Sequence, residues 1–219
     1  MRILTTLATL AVAAIPLTAN ADVVYENPWN SAAVSGGPFS QPNQRFADEF
    51  VLSAAATVDA ASWYGTMFAL DPLDTGDTWT FDVLFYNDGP GNLPGTLLSS
   101  ASLLAAVTDT GINVGGERAY LFSATFAGVA LASGTSYWFS VVNTDTEVSD
   151  TGMTFRWTEA TSGLDTALSP GGGPWVAFDF EPLTPLNFTL RGDRVVPEPA
   201  TLALLGLGLF GLRARRWRR

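Results

Sequence analysis

Apolar and polar residues alternate with period two over eight short runs: Arg45–Leu52, Thr57–Tyr64, Thr78–Tyr86, Ala119–Phe126, Ser136–Val142, Met153–Thr158, Trp175–Phe180 and Asn187–Leu190. Successive side chains of a strand point to opposite faces, so each run has one apolar and one polar face. Thr78–Tyr86 is the clearest, with Trp79, Phe81, Val83 and Phe85 on one face and Thr78, Thr80 and Asp82 on the other. Turn formers separate the runs, among them Asp71-Pro72, Asn87-Asp88-Gly89-Pro90-Gly91, Pro94-Gly95, Ser133-Gly134 and the stretch from Pro170 to Pro174. Only Leu97–Val107 reads as a helical turn or two. The pattern predicts an all-β domain over residues 22–190, an antiparallel two-sheet β-sandwich of jelly-roll type, flanked by a helix at each end of the chain.

Both ends of the chain depart from this pattern. Met1-Arg2 is a short positive start, Ile3–Leu17 an apolar stretch, and Ala19-Asn20-Ala21 has the small-x-small form that signal peptidase cuts, so residues 1–21 read as a secretory signal peptide. Residues 191–196 read as a linker. Beyond it come Val196-Pro197-Glu198-Pro199, an apolar run from Ala200 to Leu212, and five arginines, Arg213, Arg215, Arg216, Arg218 and Arg219. The 13-residue run spans about 20 Å as a helix against roughly 30 Å of bilayer hydrocarbon, short for a permanent anchor. Arginines are retained on the cytoplasmic side, which puts everything before the run outside, and the shortness of the run makes the inner-membrane insertion transient. Pro197 and Pro199 halt the helix and present Glu198 on extended chain.

The tail from Val196 to Arg219 resembles the PEP-CTERM sorting signal of exported Gram-negative proteins. The resemblance implies that a membrane-embedded exosortase cuts at or near Pro197-Glu198-Pro199 and sends the passenger to the cell surface or beyond, in species that make exopolysaccharide. Phe81 to Tyr86, Leu93 to Leu98 and Leu131 to Trp138 resemble pieces of a β-sandwich passenger module common in that group, which brings no activity with it.

Charge narrows the partners. Residues 22–196 keep five of the eleven arginines and twenty of the twenty-one acidic residues, a net charge near −15. Without lysine or a basic patch, such a surface repels phosphate backbones, and nucleic acid is excluded. Cysteine is absent, so the core alone must stabilise the fold. With no histidine or lysine either, Ser-His-Asp, Cys-His and Ser-Lys nucleophiles and imidazole zinc sites are excluded.

The remaining chemistry is acidic or aromatic. Asp71, Asp74 and Asp77 cluster in one loop and Asp145, Glu147 and Asp150 in another, which leaves a structural calcium ion as the only cofactor to consider. Asp-Thr-Gly occurs at Asp74, Asp109 and Asp150, but without the two preceding apolar strand residues of an aspartic protease it reads as turn sequence. Asp48 and Glu49 are neighbours on a strand and point to opposite faces, so they do not form a hydrolytic pair. Among Trp29, Trp63, Trp138, Trp157 and Trp175, we single out Trp138 and Trp157 as candidates for stacking on a sugar. The expectation is a non-enzymatic exported protein with a structural or binding role around exopolysaccharide; a carbohydrate-binding module and a carboxylate hydrolase are the alternatives.

Overall fold

A computed structural model describes residues 21–33, 37–67, 79–144, 155–178 and 185–195. The described residues form eleven strands and no helix: β1 (Asp22–Asn27), β2 (Gln44–Val51), β3 (Ala56–Met67), β4 (Trp79–Gly89), β5 (Leu93–Val114), β6 (Glu117–Leu131), β7 (Ser136–Asn143), β8 (Phe155–Trp157), β9 (Thr166–Pro170), β10 (Val176–Ala177) and β11 (Phe188–Arg194). The two terminal helices expected from the sequence lie outside the described residues.

All pairings are antiparallel and join the strands into one continuous sheet, in the order β1-β11-β3-β6-β5-β4-β7-β2-β9-β10, with β8 also on β3. The 22-residue β5 joins the halves. Its first part, Leu93–Ala105, pairs with β4, and its second, from Ala106 onward, pairs with β6. Four strands separate β7 from β11 in this order, which would put them more than about 20 Å apart in a flat sheet. Yet the rings of Phe139 on β7 and Phe188 on β11 stand 4.8 Å apart. The sheet therefore folds over at β5 and closes on its own apolar face.

Aromatic rings fill the fold. Phe50, Phe85, Phe139, Phe188, Trp157, Trp63, Phe81, Phe122 and Phe155 are at most 1% exposed and form two networks of edge-on, tilted and stacked rings, the first five in one and the last four in the other. Such pairs contribute about 0.5–1.5 kcal/mol each beyond the area they bury, which suits a domain without disulfides. β4 follows the expected alternation from Trp79 to Val83, but Leu84, Phe85 and Tyr86 are all buried. A second, smaller cluster on the outer face, made of Ala47, Leu84, Tyr86, Trp138, Val142 and Ala167 with Trp175 packed against it, covers what the sequence pattern leaves wet.

Two further expectations change. Leu97–Val107 is strand, because Leu103 and Ala105 pair opposite Phe81 and Trp79 and turn toward the core, and this long-range ladder outweighs the helical preference of a Leu/Ala/Ser run. Strands also form at Asp22–Asn27 and Thr166–Pro170, where the pattern gave no run.

Candidate functional site

β1 and β11 pair from Asp22 opposite Gly192 to Asn27 opposite Phe188, and the other edge of β11 lies on β3. The strand continues through Arg194, so residues 191–194, read from sequence as linker, are sheet; β1 and β3 flank Arg191 and Gly192, and β3 alone pairs with Asp193 and Arg194. The Arg194 guanidinium donates to the Val23 carbonyl at 2.9 Å, and the Val195 amide donates to the Ala55 carbonyl at 2.8 Å. Because the pair is antiparallel, the N-terminal end of β1 and the C-terminal end of β11 lie at one corner of the sheet, on strands about 4.8 Å apart. Ala21 is the first described residue; Ala19, Val196, Pro197, Glu198, Pro199, Arg213, Arg215 and Arg216 lie outside the described residues.

At the opposite end of the β1–β11 pair, beside Asn27 and Leu186, a carboxyl is sealed from water. Asp48 on β2 is fully buried and accepts three hydrogen bonds, from the Leu186 amide at 2.7 Å, the Thr166 hydroxyl at 3.0 Å and the Asn27 side-chain amide at 3.3 Å. These donors tie β1, β9 and the approach to β11 to one side chain. Burial pushes its pKa well above the usual carboxylate range, against the downward pull of the three donors. Glu49 takes other partners, as strand alternation requires: the Asn92 amide donates to it at 3.2 Å and to Asp165 at 2.5 Å. Asn92 sits in the β4–β5 turn at φ 54°, a left-handed conformation that asparagine tolerates. Sequence reasoning missed both groupings, because their members lie 21 to 138 residues apart and no local pattern links them.

Residues 195–219 match the family model described as a PEP-CTERM protein-sorting motif. The chain carries a PEP-CTERM sorting motif. That motif marks an exosortase substrate, exported and sorted to the cell surface, and here it begins at the residue whose amide is tied to Ala55. No curated protein and no solved structure matches the chain.

In this PEP-CTERM protein the two tryptophans proposed for sugar stacking are inside. Trp138 and Trp157 have no exposed surface, and their ring N–H groups donate to the Asp88 carboxylate at 3.2 Å and the Asn187 carbonyl at 2.7 Å. A sheathed indole has no face to offer a sugar, so these candidates are withdrawn. Trp63 is buried too, whereas Trp29, stacked on Tyr64 at 4.2 Å, and Trp175 are half-buried. The loop acids Asp71, Asp74, Asp77, Asp145, Glu147 and Asp150 lie outside the described residues, and among the described residues no three His, Cys, Asp or Glu side chains group as metal ligands. Asp109 belongs to a turn-like bulge: it accepts from the Gly111 amide at 2.9 Å and pairs with Arg118 at 2.6 Å, both partners well exposed. No helix among the described residues is long and apolar enough to cross a membrane.

Proposed function

We propose that the PEP-CTERM protein is cut by signal peptidase and then by exosortase and acts at the surface or in the extracellular matrix, where its acidic domain has a non-enzymatic structural or binding role with exopolysaccharide. The sorting motif at residues 195–219 carries this reading. The shared corner of β1 and β11 supports it: a leader and a tail that leave side by side allow both membrane segments to insert while the domain folds outside. In the same reading the folded sheet is a β-sandwich whose layers share β5, and the tail occupies the inner membrane only until it is cut. The domain needs no cofactor for this role.

The test is intact mass and cell fractionation of the full chain in its native host, with and without Glu198→Ala. Wild type is expected outside the cell or on its surface, lacking everything beyond the Pro197-Glu198-Pro199 region, with the variant full length in the inner membrane. If both stay intact in the inner membrane, the exosortase reading fails. Loss of surface retention in a host without exopolysaccharide checks the matrix role. Glycan turnover that Glu49→Gln abolishes would replace the non-enzymatic role with hydrolysis.

A further inference from the structure

Sheet edges expose unpaired backbone donors and acceptors, and proteins normally shield them by shortness, charge, proline or bulges. Most edges here follow that rule. β1 carries Asp22 and Glu26 and a register shift between Val23 and Tyr25, β10 is two residues long, and β8 is three residues long and contains Arg156. β6 beyond Ala124 has an irregular register against β3 between Val58 and Ala60.

The first part of β5 is different. Leu93–Ala105 pairs with β4 on one side, and among the described residues no strand pairs with its other side. From Thr96 to Leu104 this edge has nine residues without charge, proline or glycine, and Leu97, Leu98 and Leu104 are 47%, 47% and 63% exposed. Where β5 leaves β6, a recess of about 300 Å³ lined by Ala60, Ala106 and Ala124, with Arg191 as its one charged side chain, opens beside Leu104.

Charge points to the occupant. Residues 89–108 and 119–144 contain no charged side chain, although the exported segment carries a net charge near −15. Two copies of so acidic a domain repel one another over most orientations. A two-fold contact sets each patch against itself, so it is tolerable only through a neutral patch. The β5 edge is both neutral and equipped with open backbone groups.

We propose that the Thr96–Leu104 edge of β5 is where two copies of this chain pair, strand against antiparallel strand, into one sheet that runs through both. Exposed leucines give the contact apolar area, and the backbone ladder fixes its direction. The proposal does not depend on how the chain is sorted.

The test uses the full chain recovered after export, with sedimentation velocity over a concentration series and hydrogen–deuterium exchange on the same samples. A dimer is expected, with amides of residues 96–104 becoming protected as concentration rises. Leu98→Glu with Ser100→Glu, both at exposed positions, is expected to raise the dissociation constant roughly tenfold or more, while Ile112→Glu leaves it unchanged. If the amides of residues 96–104 that face away from β4 exchange freely at every concentration, the proposal is overturned, whether the protein is monomeric or associates elsewhere. The wild-type exchange map decides this even if the double variant fails to fold.

Discussion

The Leu186 amide donates to Asp48 across 2.7 Å, fastening a carboxyl with no access to water to the backbone that leads into β11. Asp48→Ala leaves that amide, the Thr166 hydroxyl and the Asn27 amide without this acceptor. Unpaired buried groups cost about 1–3 kcal/mol each, but Asn27 keeps a second acceptor in the Leu186 carbonyl. We expect a loss of roughly 2–4 kcal/mol in urea unfolding. A loss under about 0.5 kcal/mol, the scale of a surface substitution, would show that the junction does not depend on this side chain.

The same carboxyl gives stability an inverted pH dependence. Burial raises its folded-state pKa, chiefly over the opposition of its hydrogen-bond donors, and the Glu49 charge adds a smaller upward push. The folded protein thus binds the Asp48 proton more tightly than the unfolded chain does. The stability it contributes is full below the ordinary aspartate value near about 4 and is lost as pH rises through the folded value. Urea midpoints measured upward from about pH 4 should fall for wild type, and Asp48→Asn should flatten that slope. An identical slope in the variant refutes the assignment.

Tyr25 extends the effect to high pH. Burial, then the charges of Asp48 and Glu49, push its hydroxyl up to about 12 from 10.0. Its contribution is present below pH 10 and is lost through about 12, so Tyr25→Phe should remove part of the alkaline destabilisation in that interval. Absorbance titration of the tyrosines provides an independent check.

Two buried tryptophans make a matched pair. Trp157 donates to the Asn187 carbonyl, whereas the ring N–H of Trp63 is buried with no partner among the described residues. Phenylalanine at either position removes a similar volume, but only Trp157→Phe strands an acceptor, and Trp63→Phe removes an unpaired donor. Trp157→Phe should cost roughly 1–3 kcal/mol more in chemical denaturation. Equal losses would mean that packing alone holds both rings.

Gly192 lies against β3 so closely that an added Cβ would collide with the Thr57 carbonyl and the Val58 Cα, both main-chain atoms. Gly192→Ala should therefore destabilise by about 1–3 kcal/mol and speed amide exchange at Asp22–Asn27, the strand that pairs with β11. Unchanged exchange there would separate the fit of Gly192 from the β1 pairing.

How much was legible in the sequence depends on the range of the forces involved. Thr78–Tyr86 and Ser136–Val142 closely match β4 and β7, because alternating aromatic and β-branched residues are a local signal. Leu97–Val107 misled, since leucine, alanine and serine carry no strong strand preference and the partners that decide its state, Trp79 and Phe81, lie across a hairpin. Alternation placed Trp138 on a face opposite its neighbours but not what covers that face; Ala47, Leu84 and Tyr86 do so from other strands. The tail was readable because its function resides in local sequence, while Asp48 and its donors meet only after the sheet has folded.

The corner where β1 and β11 meet also sets how the domain bears mechanical load. While leader and tail are both held, tension between them peels neighbouring strands apart from their shared end, breaking one hydrogen bond at a time. With residues 1–21 removed, as proposed, tension enters through the tail alone and runs along β11, which is flanked by β1 and β3. Both ladders then resist in shear, with many bonds loaded together. Under the proposed processing, removal of residues 1–21 turns a zipper into a double-sided lap joint before the tail carries the domain's weight.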